Sequence, residues 1–399
     1  MPIPPRPRLT PAALLAAALA LAPGASLAAR SPDAFYDPPA KVPYRSGSLL
    51  RQEQLKDVSL PAGMRGWRIL YTTKVNDRTP ATAVATVFAP ITAPPGPRPV
   101  IAWTHGATGL LQKCMPSLAS QPAAGVPALD LLGKQGWVIV ATDYAFTEKD
   151  GPHPYLIGEG EARATLDAVR AARQMPGLTL SPDIVVWGHS QGGHAALWTG
   201  IIAPRYAPEL RIVGVAAIAP AANISDIMAM NPAADKLLGP YVARAYSRFY
   251  PDVVFEKAVR PEALAAAREM AKLCGQPAEN PQRLAALAAT FDGRALAADD
   301  YPQFRLRLAE NAANRPIDAP VLIAQGLLDQ VAPPAANDAY VAQRCAAGQH
   351  LEYWRLAGLD HAAIVQPGSS LEAPLVAWTA ARFAGEPQAE GCPQSTRGG

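Results

Sequence analysis

The sequence predicts an α/β fold with a mostly parallel central sheet and a helical insertion. Short apolar runs alternate with helical patterns between residues 100 and 219, which is typical of crossover units in a parallel sheet. The alternation stops over residues 222–316, where Ala-rich helical stretches occur without a convincing strand, and resumes at residues 321–324 and 351–356. The 399 residues, 49% of them hydrophobic, suffice for one sheet domain with a helical cap set into it.

Each element follows from its local pattern. Residues 67–73 and 81–89 are predicted to form an antiparallel pair with a turn near Asn76-Asp77. Residues 160–173 are predicted to be helical because their apolar positions recur at helical spacing. The remaining predictions are four buried strands and a closing helix, at residues 100–103, 137–142, 184–187, 212–219 and 371–383.

These patterns, with the ends of the chain, give the predicted domain organisation. Its parts are a signal peptide (1–28), an N-terminal arm (29–65), the first part of the sheet domain (66–221), the helical cap (222–316), the second part of the sheet domain (317–384) and a disordered tail (385–399).

The first residues have the pattern of a cleaved export signal. Arg6 and Arg8 precede an apolar run, and Ser26-Leu27-Ala28 is a small-x-small cleavage site. The apolar run of about eleven residues is too short to span a bilayer, so no stable membrane span is expected. The chain is therefore predicted to be secreted or periplasmic, with cleavage after Ala28.

Composition limits the partners and cofactors. A formal net charge of +3 without a basic stripe argues against nucleic acid. The four cysteines, Cys114, Cys274, Cys345 and Cys392, are an even count in an exported chain, which predicts two disulfides in one of three pairings. None has the spacing of a zinc site, so no metal is expected.

The run Gly188-His189-Ser190-Gln191-Gly192 lies between a predicted strand and a predicted helix. In that context G-x-S-x-G is typical of a nucleophile elbow, in which a strained turn exposes the serine hydroxyl. The Gln191 N–H would face the same space at a helix N-terminus. Ser190 is the predicted nucleophile.

A serine nucleophile needs a histidine base, and catalytic groups in such sheets lie beyond the carboxyl ends of the strands. His361 follows the strand at 351–356 at that end, whereas His350 precedes the strand. His189 is expected to pack beside the turn and His194 to be structural. His361 is therefore the predicted base.

The acid is expected after the preceding strand. Asp329 lies in the loop directly after residues 321–325, whereas Asp318 precedes that strand and Asp360 is too close to His361 in sequence to orient its ring. The order Ser190, Asp329, His361 is the order of the α/β-hydrolase fold. A second oxyanion donor is expected from the loop after residues 100–103, at Ala107 or Thr108.

Several motifs together resemble the secretory lipase family of α/β hydrolases, which has bacterial members and a fungal lipase A type. They are Phe35-Tyr36-Asp37-Pro38-Pro39, Trp103-Thr104-His105-Gly106-Ala107-Thr108-Gly109, Cys114-Met115-Pro116-Ser117, Asp143-Tyr144, His153-Pro154-Tyr155 and Gly188-His189-Ser190-Gln191-Gly192-Gly193-His194-Ala195-Ala196. The resemblance implies an ester hydrolase whose helical cap buries an acyl-chain site. It also implies disulfides pairing Cys114 with Cys274 and Cys345 with Cys392.

The sequence thus predicts an exported serine carboxylic-ester hydrolase, a lipase or esterase that acts on esters of apolar acyl chains through an acyl-enzyme. No cofactor is required. The expected partner is a small-molecule or lipid ester, with contact between the cap and a lipid interface. The alternatives are the same chemistry on amides or thioesters, in a peptidase or acyltransferase, and a non-catalytic binding module on the same fold.

Overall fold

The computed structural model describes residues 34–92, 95–146, 153–275 and 281–398. The predicted signal peptide, residues 1–28, lies outside this described part of the chain. Among the described residues, no helix is both long and apolar enough to cross a membrane.

A ten-stranded sheet forms the centre of the described structure, in the order β1-β2-β3-β5-β4-β6-β7-β8-β9-β10. The strands are β1 (Leu49–Gln54), β2 (Met64–Lys74), β3 (Pro80–Pro90), β4 (Arg98–Thr104), β5 (Val138–Phe146), β6 (Leu180–His189), β7 (Arg211–Ile218), β8 (Val321–Gly326), β9 (Glu352–Leu356) and β10 (Gln394–Arg397). The pairs β1/β2, β2/β3 and β3/β5 are antiparallel, and all other neighbours are parallel. The predicted α/β-hydrolase fold is confirmed.

Helices cover both faces of this sheet. The described helices are α1 (Leu129–Lys134), α2 (Gly158–Ala172), α3 (Gln191–Tyr206), α4 (Ile224–Met230), α5 (Pro232–Phe249), α6 (Phe255–Ala258), α7 (Leu264–Met270), α8 (Pro281–Ala288), α9 (Pro302–Glu310), α10 (Pro334–Ala346) and α11 (Glu372–Phe383). Helices α2, α3 and α10 pack on the face that contains Ile184 and Val186. Helices α1 and α11 pack on the face of Val185 and Trp187. Both faces of the central part of β6 are therefore buried, which is why residues 184–187 are continuously apolar.

Helices α4–α9 lie between β7 and β8 along the chain and have a hydrophobic cluster of their own. Tyr246, Phe255 and Phe304 are buried in it. The only strand-like pairing among the described residues of this region is an isolated bridge between Val259 and Leu296. We propose that these helices form the cap predicted for residues 222–316.

The structure adds a strand at each end of the sheet, and one prediction, that of a disordered tail, is corrected. The N-terminal arm contains β1, which pairs with β2 and extends the sheet, and the tail contains β10, which pairs with β9. The tail is therefore ordered through residue 398 rather than disordered. Both strands are short and polar, at opposite edges of the sheet, and they are stabilised by pairing with distant partners rather than by an apolar pattern of their own.

The structure contains two disulfides, Cys114–Cys274 and Cys345–Cys392. This is the pairing that the family resemblance implies. Cys345–Cys392 joins the end of α10 to the segment just before β10. It therefore helps to hold the tail against the sheet.

Candidate active site

Ser190 occupies a sharp turn between β6 and α3. Its φ of 57° lies in the left-handed region, which residues other than glycine rarely adopt. A Cβ at Gly188 would overlap the Gly192 carbonyl group, and a Cβ at Gly192 would overlap the Thr104 carbonyl group. Only glycine fits at these two positions, so the close packing of the turn explains the G-x-S-x-G spacing.

The structure brings Ser190, His361 and Asp329 into one hydrogen-bonded chain. His361 Nε2 lies 2.9 Å from Ser190 Oγ, and His361 Nδ1 lies 2.7 Å from Asp329 Oδ2. The Asp329 side chain is fully buried and that of His361 is 8% exposed. An imidazole that donates from Nδ1 to the carboxylate has its Nε2 lone pair free to accept the serine proton.

Asp329 is held by more groups than the sequence indicates. Its Oδ1 accepts hydrogen bonds from the backbone N–H groups of Val331 and Ala332, both at 2.8 Å. Its Oδ2 also accepts from Gln325 Nε2 at 3.1 Å, and Gln325 Oε1 in turn accepts from Asn337 Nδ2 at 2.7 Å. Sequence reasoning missed Gln325 and Asn337. The available signal was a polar residue near the end of the apolar strand β8.

The two predicted oxyanion donors come from Gln191 and from the loop after β4. Gln191 is the first residue of α3, so its N–H has no acceptor within that helix. Of the two candidates in the loop after β4, Ala107 lines the pocket beside Ser190. The carbonyl oxygen of Thr108 accepts a hydrogen bond from the Gly275 N–H at 2.8 Å. Thr108 is not among the residues that line this pocket, so we propose Ala107 as the second donor.

His189 contacts the candidate base directly. Its Nε2 donates to the backbone carbonyl oxygen of His361 at 2.8 Å, and the two rings lie 4.7 Å apart. Burial, and to a smaller extent the neighbouring His361, lower the pKa of His189 to about 3. It therefore stays neutral at physiological pH and supports the loop that carries His361, which is more than the packing role predicted.

The other rejected candidates lie where they cannot replace the triad. His350 accepts a hydrogen bond from the Gly391 N–H beside the tail. Asp360 caps its own loop, because its Oδ1 accepts from the N–H groups of Ala362 and Ala363 at 3.0 and 2.8 Å. His105 donates from Nδ1 to the Gly106 carbonyl oxygen at 2.6 Å, so it braces the loop after β4.

A largely apolar pocket opens above Ser190, between the sheet domain and helices α5 and α8. The lining consists of Gly106, Ala107, Gly109, Tyr155, His189, Ser190, Leu237, Leu238, Tyr241, Gly275, Pro281, Leu284, Ala285, Val331 and His361. No lysine, arginine, aspartate or glutamate is among these lining residues. No group of three His, Cys, Asp or Glu side chains among the described residues could hold a metal ion.

Comparison with known proteins adds independent findings. Residues 125–253 match the family model described as Secretory lipase. Lipase 6 of Candida albicans is 26% identical over 420 residues, which cover 93% of this chain and 85% of that protein. The closed state of Candida antarctica lipase A superposes with a TM-score of 0.70 at 19% identity, over 90% of this chain and 89% of that chain. A ligand-bound form of the rice cell wall degrading esterase LipA from Xanthomonas oryzae gives 0.65 at 20% identity, over 86% and 98%.

Proposed function

We infer that this chain is a member of the secretory lipase family of α/β hydrolases and a serine carboxylic-ester hydrolase with Ser190, His361 and Asp329 as its catalytic triad. Ser190 Oγ attacks the ester carbonyl carbon while His361 Nε2 accepts its proton. The same proton is returned to the leaving alcohol, and an acyl-enzyme is formed. Water then attacks the acyl-enzyme with His361 again as the base, which releases the carboxylic acid.

The negative charge that develops on the carbonyl oxygen needs donors that are in place before the reaction. In this proposal they are the N–H groups of Gln191 and Ala107. The N-terminus of α3 adds a favourable dipole at the same point. Each such donor typically contributes about 3 kcal/mol to transition-state stabilisation.

The observation that carries the proposal is the pair of hydrogen bonds that connects Ser190 Oγ, the His361 ring and Asp329. Ser190 and His361 of this group line an apolar pocket. Because the described residues of its lining include no lysine, arginine, aspartate or glutamate, the pocket suits an uncharged acyl chain. Leu237, Leu238 and Leu284 of the cap would contact that chain. We therefore propose esters of apolar acids as substrates, with a lipid ester as one such substrate.

Two experiments test this assignment. A fluorophosphonate should label the wild-type protein covalently, and the label should be lost in Ser190→Ala. An unlabelled wild-type protein would instead favour the non-catalytic alternative. Turnover of an ester and a matched anilide with the same acyl group would separate an esterase from a peptidase, because only a peptidase would cleave the anilide at a comparable rate.

Export and interface contact remain parts of the same proposal. The two disulfides and the secretory family support an extracellular location. We propose cleavage after Ala28, so the secreted protein should begin at Ala29 by N-terminal mass spectrometry. We also propose that the cap contacts a lipid interface, in which case the rate should rise when an ester substrate passes its solubility limit.

A further inference from the structure

A second buried carboxylate–histidine pair lies behind the turn that carries Ser190. Glu161 of α2 is fully buried, and its Oε2 lies 2.8 Å from His194 Nδ1. His194 is on the first turn of α3, where its N–H donates to the Ser190 carbonyl oxygen at 3.2 Å. The pair therefore contacts the backbone of the nucleophile turn, and neither of its residues lines the pocket above Ser190.

The second nitrogen of His194 decides how many protons this pair holds. His194 Nε2 lies 2.7 Å from the backbone carbonyl oxygen of Asn311. A carbonyl oxygen only accepts hydrogen bonds, so Nε2 must carry a hydrogen. The 2.8 Å contact between Nδ1 and Glu161 then needs another proton, either on Nδ1 or on the carboxyl group.

The two carboxylate–histidine pairs differ in the group that faces Nε2 of the histidine. His361 Nε2 faces a serine hydroxyl, which can itself donate, so a single ring proton completes the chain of contacts to Asp329. His194 faces a carbonyl group instead. Its pair is complete only with one proton more than an ionised carboxylate and a neutral imidazole would have.

Glu161 also holds the residue that carries the predicted oxyanion donor. Its Oε1 accepts hydrogen bonds from Gln191 Nε2 at 2.7 Å and from the Leu156 N–H at 2.9 Å. Asn311, which follows α9 of the cap, completes the network, because its Oδ1 accepts from the Gly158 N–H at 2.9 Å. The pair thus connects the start of α3 to both α2 and the cap.

We propose that Glu161 and His194 share one proton throughout the neutral pH range, and that this protonated pair positions Gln191 and the Ser190 turn for catalysis. Both are positioning residues, since neither lines the substrate pocket. Loss of the proton would place the Nδ1 lone pair against a carboxylate oxygen in a buried site, and the contact would break. The inference rests on the proposed function, because it concerns the same oxyanion donor.

The surroundings favour retention of the proton. Burial raises the pKa of Glu161 above its usual value. The other titratable groups that face Glu161 are the phenols of Tyr144, Tyr155 and Tyr246, whose pKa values are raised by burial, so they stay neutral. Among the described residues, no lysine or arginine forms an ion pair with Glu161 that would stabilise its charged form.

Glu161→Gln is a discriminating variant. The glutamine amide can donate to Nδ1 of a neutral His194, while its oxygen accepts from Gln191 and Leu156, so every contact is kept without the shared proton. We expect kcat of the wild-type protein to fall at alkaline pH, and kcat of Glu161→Gln to stay within about threefold at pH 7 and to lose the alkaline fall. Glu161→Ala, which leaves the donors unpaired, should lose roughly tenfold or more at every pH.

Three outcomes would overturn the inference: the absence of a downfield resonance of the shared proton at pH 8 in proton NMR of His361→Ala, an alkaline fall of kcat that is the same in the wild-type protein and Glu161→Gln, or full activity in Glu161→Ala. Fluorophosphonate labelling of the wild-type protein distinguishes these outcomes from a failure of the proposed function, because a protein that is labelled still has its reactive serine and only the role of the shared proton is then refuted. If Glu161→Gln does not fold, proton NMR of His361→Ala replaces it. A downfield resonance of the shared proton should persist there at pH 8, and its absence would refute the inference.

Discussion

Replacing Asp329 by asparagine tests the proposed triad without changing the size of the side chain. The carboxylate accepts four N–H groups, two from the backbone of Val331 and Ala332 and one each from Gln325 and His361. Asparagine has one acceptor oxygen. If that oxygen serves the two backbone groups, its NH2 group meets the two side-chain donors.

His361 can relieve this donor–donor contact by carrying its proton on Nε2 instead of Nδ1. Its Nδ1 then accepts from the asparagine, and Nε2 no longer accepts from Ser190. A triad with the wrong imidazole tautomer typically loses roughly 10⁴-fold in kcat. At 1.36 kcal/mol per tenfold, that is about 5.5 kcal/mol of transition-state stabilisation.

The assay is kcat for a soluble p-nitrophenyl ester at pH 8, with the active fraction measured by fluorophosphonate titration. Asp360→Asn is the matched control, since Asp360 adjoins His361 but only caps its own loop, a role that asparagine also fills. The reasoning is refuted if folded Asp329→Asn loses less than about a hundredfold, or if Asp360→Asn loses as much.

Three further changes test the fold around the site. Burial raises the pKa of Asp143 from 3.8 to about 7, so the native state binds this proton more tightly and wild-type stability falls as the pH rises from about 4 to 7. Asp143→Asn stays neutral, so urea denaturation should show it gaining about 4 kcal/mol on the wild type across that window, and a constant difference would contradict this. Gly192→Ala should lower the free energy of unfolding by about 3 kcal/mol or more and reduce the yield of soluble protein, because the new methyl group overlaps a backbone carbonyl group. Gly125→Ala is its control, because a methyl group at that position meets nothing within 4 Å. Thr379→Val removes the acceptor 2.9 Å from Trp187 Nε1 and should cost about 1–3 kcal/mol in urea denaturation, and an unchanged midpoint would show that this buried N–H finds another acceptor.

Patterns within short segments carried most of what the sequence predicted. The central parts of the parallel strands β4, β6 and β8 are buried on both faces, so residues 100–103, 184–187 and 321–324 stand out as continuous apolar runs. The nucleophile turn has its own spacing, because backbone overlap excludes any side chain at Gly188 and Gly192. The end of the sheet at which each loop emerges then distinguished Asp329 from Asp318, and His361 from His350.

What the sequence did not predict depends on contacts between distant segments. Strands β1 and β10 are polar and lie at the edges, so only their partners define them. The hydrogen bond from His189 to the His361 carbonyl oxygen joins residues 172 positions apart. The support of Asp329 by Gln325 depends on where the loop after β8 turns back, and no local pattern encodes that turn.

The bond between Cys114 and Cys274 joins stretches 160 residues apart, one following the loop of Ala107 and the other within the cap. The Gly275 N–H, one residue further on, donates to Thr108 in that same loop. Under oxidising conditions the two segments beside the pocket are thus covalently joined. Protein prepared in a reducing cytoplasm would lack this bond, and only non-covalent contacts such as that of Gly275 with Thr108 would then join the two segments.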